Sequence, residues 1–142
     1  MFWIPKEMGM KDWIRCWGPA VLVMAIIFIA SATPDTNLPT IGEWDLFVKK
    51  AGHMIGYALL AITIFHALNY HKGLTRSQLI LAFCLAVAYA ASDELHQRFT
   101  RGRNASIHDV FIDAAGAALG LALWFCLRSH FLRWQKALRS ER

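Results

Sequence analysis

The chain has 142 residues, 56% of them hydrophobic, with six Trp, nine Phe and a net charge of +5 with His neutral. That apolar excess excludes an ordinary water-facing globule and points to lipid as the solvent, while the length fits one domain, residues 1–142. Cys16, Cys84 and Cys126 lack CxxC spacing, which argues against a disulfide framework or a zinc knuckle and reads them as small buried hydrophobes.

Four apolar segments follow in order, at about 13–32 (WIRCWGPAVLVMAIIFIASA), 48–69, 77–97 and 107–127. Each approximates the ~20 residues that cross a bilayer. Backbone polar groups in lipid must be satisfied internally, and these runs do not alternate as strands do. The expected fold class is therefore all-α, a four-helix transmembrane bundle. The first segment has a rival reading as a cleaved signal peptide, because Lys6, Lys11 and Arg15 precede an apolar run ending in Ala30-Ser31-Ala32. Pro34 close behind, with Trp13 and Trp17 as interfacial anchors, favours a retained span. Residues 128–142 read as a helical tail continuing into the cytoplasm, with Trp134 and the basic residues against anionic headgroups.

Basic residues set the expected orientation. Lys6, Lys11, Arg15, Lys72, Arg76, Arg128, Arg133, Lys136, Arg139 and Arg142 fall on one side, ten in all. Lys49, Lys50, Arg98, Arg101 and Arg103 fall on the other, among seven acids. The positive-inside rule puts both termini in the cytoplasm and turns the loops near 33–47 and 98–106 outward. In a bacterium this is the inner or plasma membrane.

The densest polar stretch is 89–113, YAASDELHQRFTRGRNASIHDVFID. Ionisable groups within membrane segments pair with each other or line wet cavities. Helix positions three, four and seven apart share a face. That groups Lys49, His53 and Tyr57 in span two, with Lys50 one step round. In span three it groups Tyr89, Asp93, His96 and Gln97, with Glu94, Arg98 and Arg101 in an adjacent stripe. In span four Ser106, Asp109, Asp113, Gly116 and Gly120 fall in line. Gly116–Gly120 and Gly52–Gly56 are small-residue seams for close helix packing, and they leave a homo-oligomer open. Ser106 with Asp109 resembles a capping box. Asp113 lies a turn deeper and needs a partner, with Arg101, Arg103 and His53 as candidates.

Asp93, Glu94, His96 and Asp109 are the candidate catalytic residues, because neighbouring carboxylates and a histidine can exchange protons. Lys50, Arg98, Arg101 and Arg103 are candidate phosphate ligands, arginine being suited to bidentate contact. His53, Tyr57, Gln97 and Asp113 complete the candidate ligand set. The same side-chain types suit hard or borderline cations, but the spacing matches no metal motif, so metal and cofactor stay open. Ser92 and His96, one turn apart, form a possible nucleophile–base pair, although membrane serines usually bond their own backbone. The structural alternative is an ion-pair network, Glu94 with Arg98 and Asp109 and Asp113 with the loop arginines.

Three blocks carry a family resemblance: Ser31-x-x-Pro34 with Leu38-Pro39; Lys50-x-x-His53-x-x-x-Tyr57; and Asp93-Glu94-x-His96-Gln97-x-Phe99 followed by Gly102-Arg103, Ser106, Asp109 and Gly116. On these, the chain resembles the VanZ-like membrane proteins, named for a teicoplanin-resistance protein. Arg101 stands where proline is common in that family, and Gly56 where glutamate is frequent. The resemblance implies a small multi-span envelope protein, linked in some members to reduced glycopeptide sensitivity, and supplies no biochemical activity. The expected function is binding of an anionic lipid-linked headgroup at the outer leaflet, with action on it left open. The partner is then a membrane lipid or lipid-linked cell-wall intermediate, not nucleic acid. The alternative is a non-enzymatic envelope scaffold. Ion or proton transport is the weaker third reading, because the polar groups lie on one side only.

Overall fold

The computed structural model describes residues 9–33, 42–70, 75–100 and 106–140, without the side chains of Glu43, Asp45, Leu46, Ala137 and Ser140. Four helices make up almost all of it: α1 (Met10–Ala32), α2 (Asp45–Asn69), α3 (Arg76–Gln97) and α4 (Ile107–Ser140). Each is long and apolar enough to cross a membrane. The sequence placed their ends closely. The first two begin three residues earlier than expected, the third one earlier, and all three stop where expected. A 3-10 turn, Gly42–Trp44, leads into α2, and its first residue takes a φ of 65° that favours glycine.

The tail is helical, as its composition suggested, because nothing breaks α4 before Ser140. At 1.5 Å per residue, α4 runs roughly 50 Å, well beyond the ~30 Å hydrocarbon layer.

The helices run alternately up and down, with α2 at the centre. It packs on α1, α3 and α4, and α3 also touches α1 and α4. Among the described residues, α1 and α4 do not meet. The interior is built from small side chains, such as Ala20, Ala61, Ala82, Ala86 and Ala117, around Tyr57, Leu60 and Phe65. Large apolar side chains such as Leu22, Ile26, Ile55, Leu119 and Leu123 point outward. Lipid removes the penalty for exposing them, so close van der Waals packing between small residues holds the helices together instead. The same inversion corrects the reading of the cysteines. Cys16 is buried, but Cys84 and Cys126 are exposed on the outer surface.

Gly116 and Gly120 form the tightest seam. A Cβ on Gly116 would stand 2.9 Å from the Cα of Met54, and one on Gly120 2.8 Å from the Cα of Ala58. These glycines let the backbone of α4 lie directly on α2. The second proposed seam divides. Gly56 faces the side chain of Ile27 in α1 at 3.4 Å, whereas a Cβ on Gly52 would meet nothing within 4 Å among the described residues of the other elements.

At the end opposite the polar stretch, α3 starts with a capping box formed by Thr75 and Gln78. Gln78 Oε1 accepts from the Thr75 amide at 3.1 Å. Its Nε2 donates to the Leu68 carbonyl, also at 3.1 Å. One side chain thus caps α3 and ties it to the end of α2, satisfying backbone groups that lipid cannot.

Candidate functional site

Alternating helix direction brings the C-terminal ends of α1 and α3 to the same end of the bundle as the N-terminal ends of α2 and α4. The polar residues of all four meet there, in three tiers.

One tier joins α1, α2 and α3. Ser31 Oγ donates to Asp93 Oδ2 at 2.7 Å, and Gln97 Nε2 donates to the same oxygen at 3.0 Å and to Ser31 Oγ at 3.3 Å. Ser31, Asp93 and Gln97 are all buried. The Tyr57 ring lies against them, fully enclosed, with its hydroxyl beside Asp93 but without a well-formed hydrogen bond. The other Asp93 oxygen, Oδ1, is also buried, without a hydrogen-bond donor among the described residues. Tyr89 flanks Tyr57 with ring centres 6.3 Å apart and donates its hydroxyl to the Met24 carbonyl at 2.8 Å.

The second and third tiers are rungs between α2 and α4. His53 Nδ1 lies 3.7 Å from Asp113 Oδ1. About a turn nearer the helix ends, Lys50 Nζ lies 3.0 Å from Asp109 Oδ1. The deeper rung is the more enclosed: the Asp113 side chain is 2% exposed and that of Asp109 33%. The glycine seam just below makes both rungs possible, because it holds the two backbones close enough for short side chains to span them. Of the three partners weighed for Asp113, the described structure supplies His53; Arg101 and Arg103 lie outside the described residues.

Glu94 departs from the expected pairing with Arg98. Its Oε1 accepts the backbone amide of Ser106 at the start of α4, and Glu94 is buried while Arg98 is exposed. Ser106 does cap its own helix, accepting from the His108 amide at 3.2 Å. The capping box is thus completed across the bundle. The acceptor for the cap residue's own amide comes from α3, and Asp109, the local candidate, turns to Lys50 instead. His96 sits apart from the carboxylates, stacked on Phe28 of α1 with ring centres 4.7 Å apart. Ser92, its proposed nucleophilic partner, is exposed.

The structure therefore draws together Lys50, His53, Tyr57, Asp93, Glu94, Gln97, Asp109 and Asp113. Ser31 joins them at the centre of the first tier, although along the chain it stood only as part of a possible cleavage site and of a family block. A serine in the last turn of a span, on the side where every other polar cluster falls, was the available signal. Among the described residues, no three His, Cys, Asp or Glu side chains converge to hold a metal ion. What the arrangement offers chemically is a partly exposed cation–carboxylate pair over a floor rich in acceptors.

A family model described as VanZ/LLP1 matches residues 16–128 of the chain. No curated protein and no solved structure matches it.

Proposed function

The chain belongs to the VanZ/LLP1 family, and from that premise we propose that it binds the phosphate of an anionic lipid-linked headgroup at the outer leaflet of a bacterial plasma or inner membrane. Lys50 and Arg98, with Arg101 and Arg103 of the following loop, contact the phosphate. The acids Asp93, Glu94, Asp109 and Asp113 hold the cations and the helix ends in place. The observation that carries this reading is the partly exposed Lys50 at the end of an apolar bundle. Its charge sits over a buried polar network contributed by all four helices.

Depth supports it. From Lys50 to the end of α2 is 19 residues, or roughly 29 Å of helix, close to one hydrocarbon thickness. A headgroup phosphate would meet Lys50 at that level. With both termini cytoplasmic, the site faces the cell exterior, where glycopeptide targets are displayed. That fits the teicoplanin-resistance association of the family.

The test is lipid extraction from purified protein, with bound lipid quantified by mass spectrometry. Lys50→Ala and the Arg101→Ala/Arg103→Ala pair should each carry less phosphate-bearing lipid than wild type. Equal loads in all three would sink the proposal. The scaffold reading keeps one observation of its own, the buried Ser31–Asp93–Gln97 cluster that ties α1 to α3. Glu94→Gln or His96→Ala separates the two. A stable variant that loses the cellular phenotype favours the site, and loss of the protein from the membrane favours the scaffold.

A further inference from the structure

We infer that the site prefers a zwitterionic phosphodiester headgroup bearing a primary ammonium, with Lys50 taking the phosphate and Asp109 taking the ammonium. The inference rests on the phosphate reading above and narrows it. Its starting point is the rim pair itself, Lys50 Nζ to Asp109 Oδ1 at 3.0 Å, with both side chains a third or more exposed. A ligand that carries only negative charge must pull Lys50 from Asp109 and leave that carboxylate facing the incoming phosphate. A headgroup with a phosphate and an ammonium exchanges one ion pair for two, and no charge is left unmatched.

The surroundings favour the same choice. Asp113 is 2% exposed, and its Oδ1 has His53 at 3.7 Å but no hydrogen-bond donor among the described residues. Among the described residues, Asp93 Oδ1 lacks a donor as well. The floor is thus an excess of acceptors. The buried carboxylates below the rim add negative potential that favours an ammonium at Asp109.

The experiment offers purified full-length protein an equimolar mixture of phosphatidylethanolamine and phosphatidylglycerol and counts each bound lipid by native mass spectrometry. Wild type should retain the ethanolamine lipid in about two- to fivefold excess, the range that one partly exposed ion pair supplies. Asp109→Asn should bring the ratio to parity or reverse it, and Asp109→Glu should keep it. N-acetylated phosphatidylethanolamine, which retains the diester but lacks the ammonium, should bind wild type no better than phosphatidylglycerol. That arm needs no variant to fold. A wild-type preference unchanged in Asp109→Asn, or equal binding of the acetylated lipid, overturns the zwitterion pairing while leaving the phosphate reading intact. Lys50→Ala retaining both lipids at wild-type levels overturns the phosphate reading itself. Glycerophosphoethanolamine, the same headgroup without acyl chains, identifies the source: competition at equal concentration assigns a soluble ligand, and failure to compete assigns the lipid.

Discussion

Adding one methyl group at Gly116 or Gly120 tests the seam on which the polar rungs depend. The new Cβ would stand 2.9 Å from Met54 Cα or 2.8 Å from Ala58 Cα, respectively. Carbon atoms rest at about 3.5–4.0 Å, so α4 must withdraw from α2 by roughly 0.7–1 Å. The obstacle is backbone in both cases, and no rotamer change relieves it. Overpacking of this kind costs about 1–3 kcal/mol. The gain in helix propensity from Gly to Ala offsets up to ~1 kcal/mol of that.

Each substitution should therefore destabilise the bundle by about 1–2 kcal/mol net. It should also loosen the Lys50–Asp109 and His53–Asp113 rungs. Gly52→Ala is the control, because its added Cβ would meet nothing within 4 Å among the described residues of the other elements. It should be neutral or stabilising by up to ~1 kcal/mol. Gly56→Ala meets only the flexible Ile27 side chain at 3.4 Å and should fall close to wild type. Unfolding midpoints of purified protein in one detergent, read by gel filtration after heating, give the ranking. If Gly116→Ala melts with Gly52→Ala, the close approach of α2 and α4 is refuted.

Ser31→Ala removes the hydroxyl donor to buried Asp93 and should cost about 1–3 kcal/mol of stability in the same assay; an unchanged midpoint would mean that the contact does not tie α1 to α3. Glu94→Ala takes the acceptor from the Ser106 amide, so hydrogen exchange should quicken at residues 106–109 while residues 116–121 stay protected, and Glu94→Gln should behave like wild type. Exchange spread evenly along α4 would contradict that cap. Reversing the rim pair, Lys50→Asp with Asp109→Lys, should recover about 0.2–1 kcal/mol relative to the sum of the single changes. Zero coupling in the double-mutant cycle would show that the pair does not form.

Much of the architecture was legible along the chain. Spans of this hydropathy can only be helices in lipid, and three of the four end within the sequence at the residues where the helices stop. The candidate residues could be gathered onto faces because helical spacing is local. Asp113 could be marked as needing a partner because a buried carboxylate cannot stand alone. The tail past 127 was helical for the same local reason, an uninterrupted run of helix formers.

What the sequence could not decide was which partner each side chain took, because partners come from other helices. The equal spacing of Gly52–Gly56 and Gly116–Gly120 looks like two equivalent seams. Only the packing shows that one lies against backbone and the other is half open. His96 shares a helical face with Asp93 by arithmetic, yet it stacks on Phe28, a residue 68 positions earlier in the chain. Glu94 had a plausible local partner in Arg98 and took the Ser106 amide instead, since a part-buried amide at a helix start needs an acceptor more than an exposed guanidinium needs a carboxylate. Periodicity and hydropathy are properties of one helix and its solvent, and they fixed the elements and their faces. Ion pairs and caps depend on the distance between helices, and the small residues of α4 set that distance only once the bundle had formed.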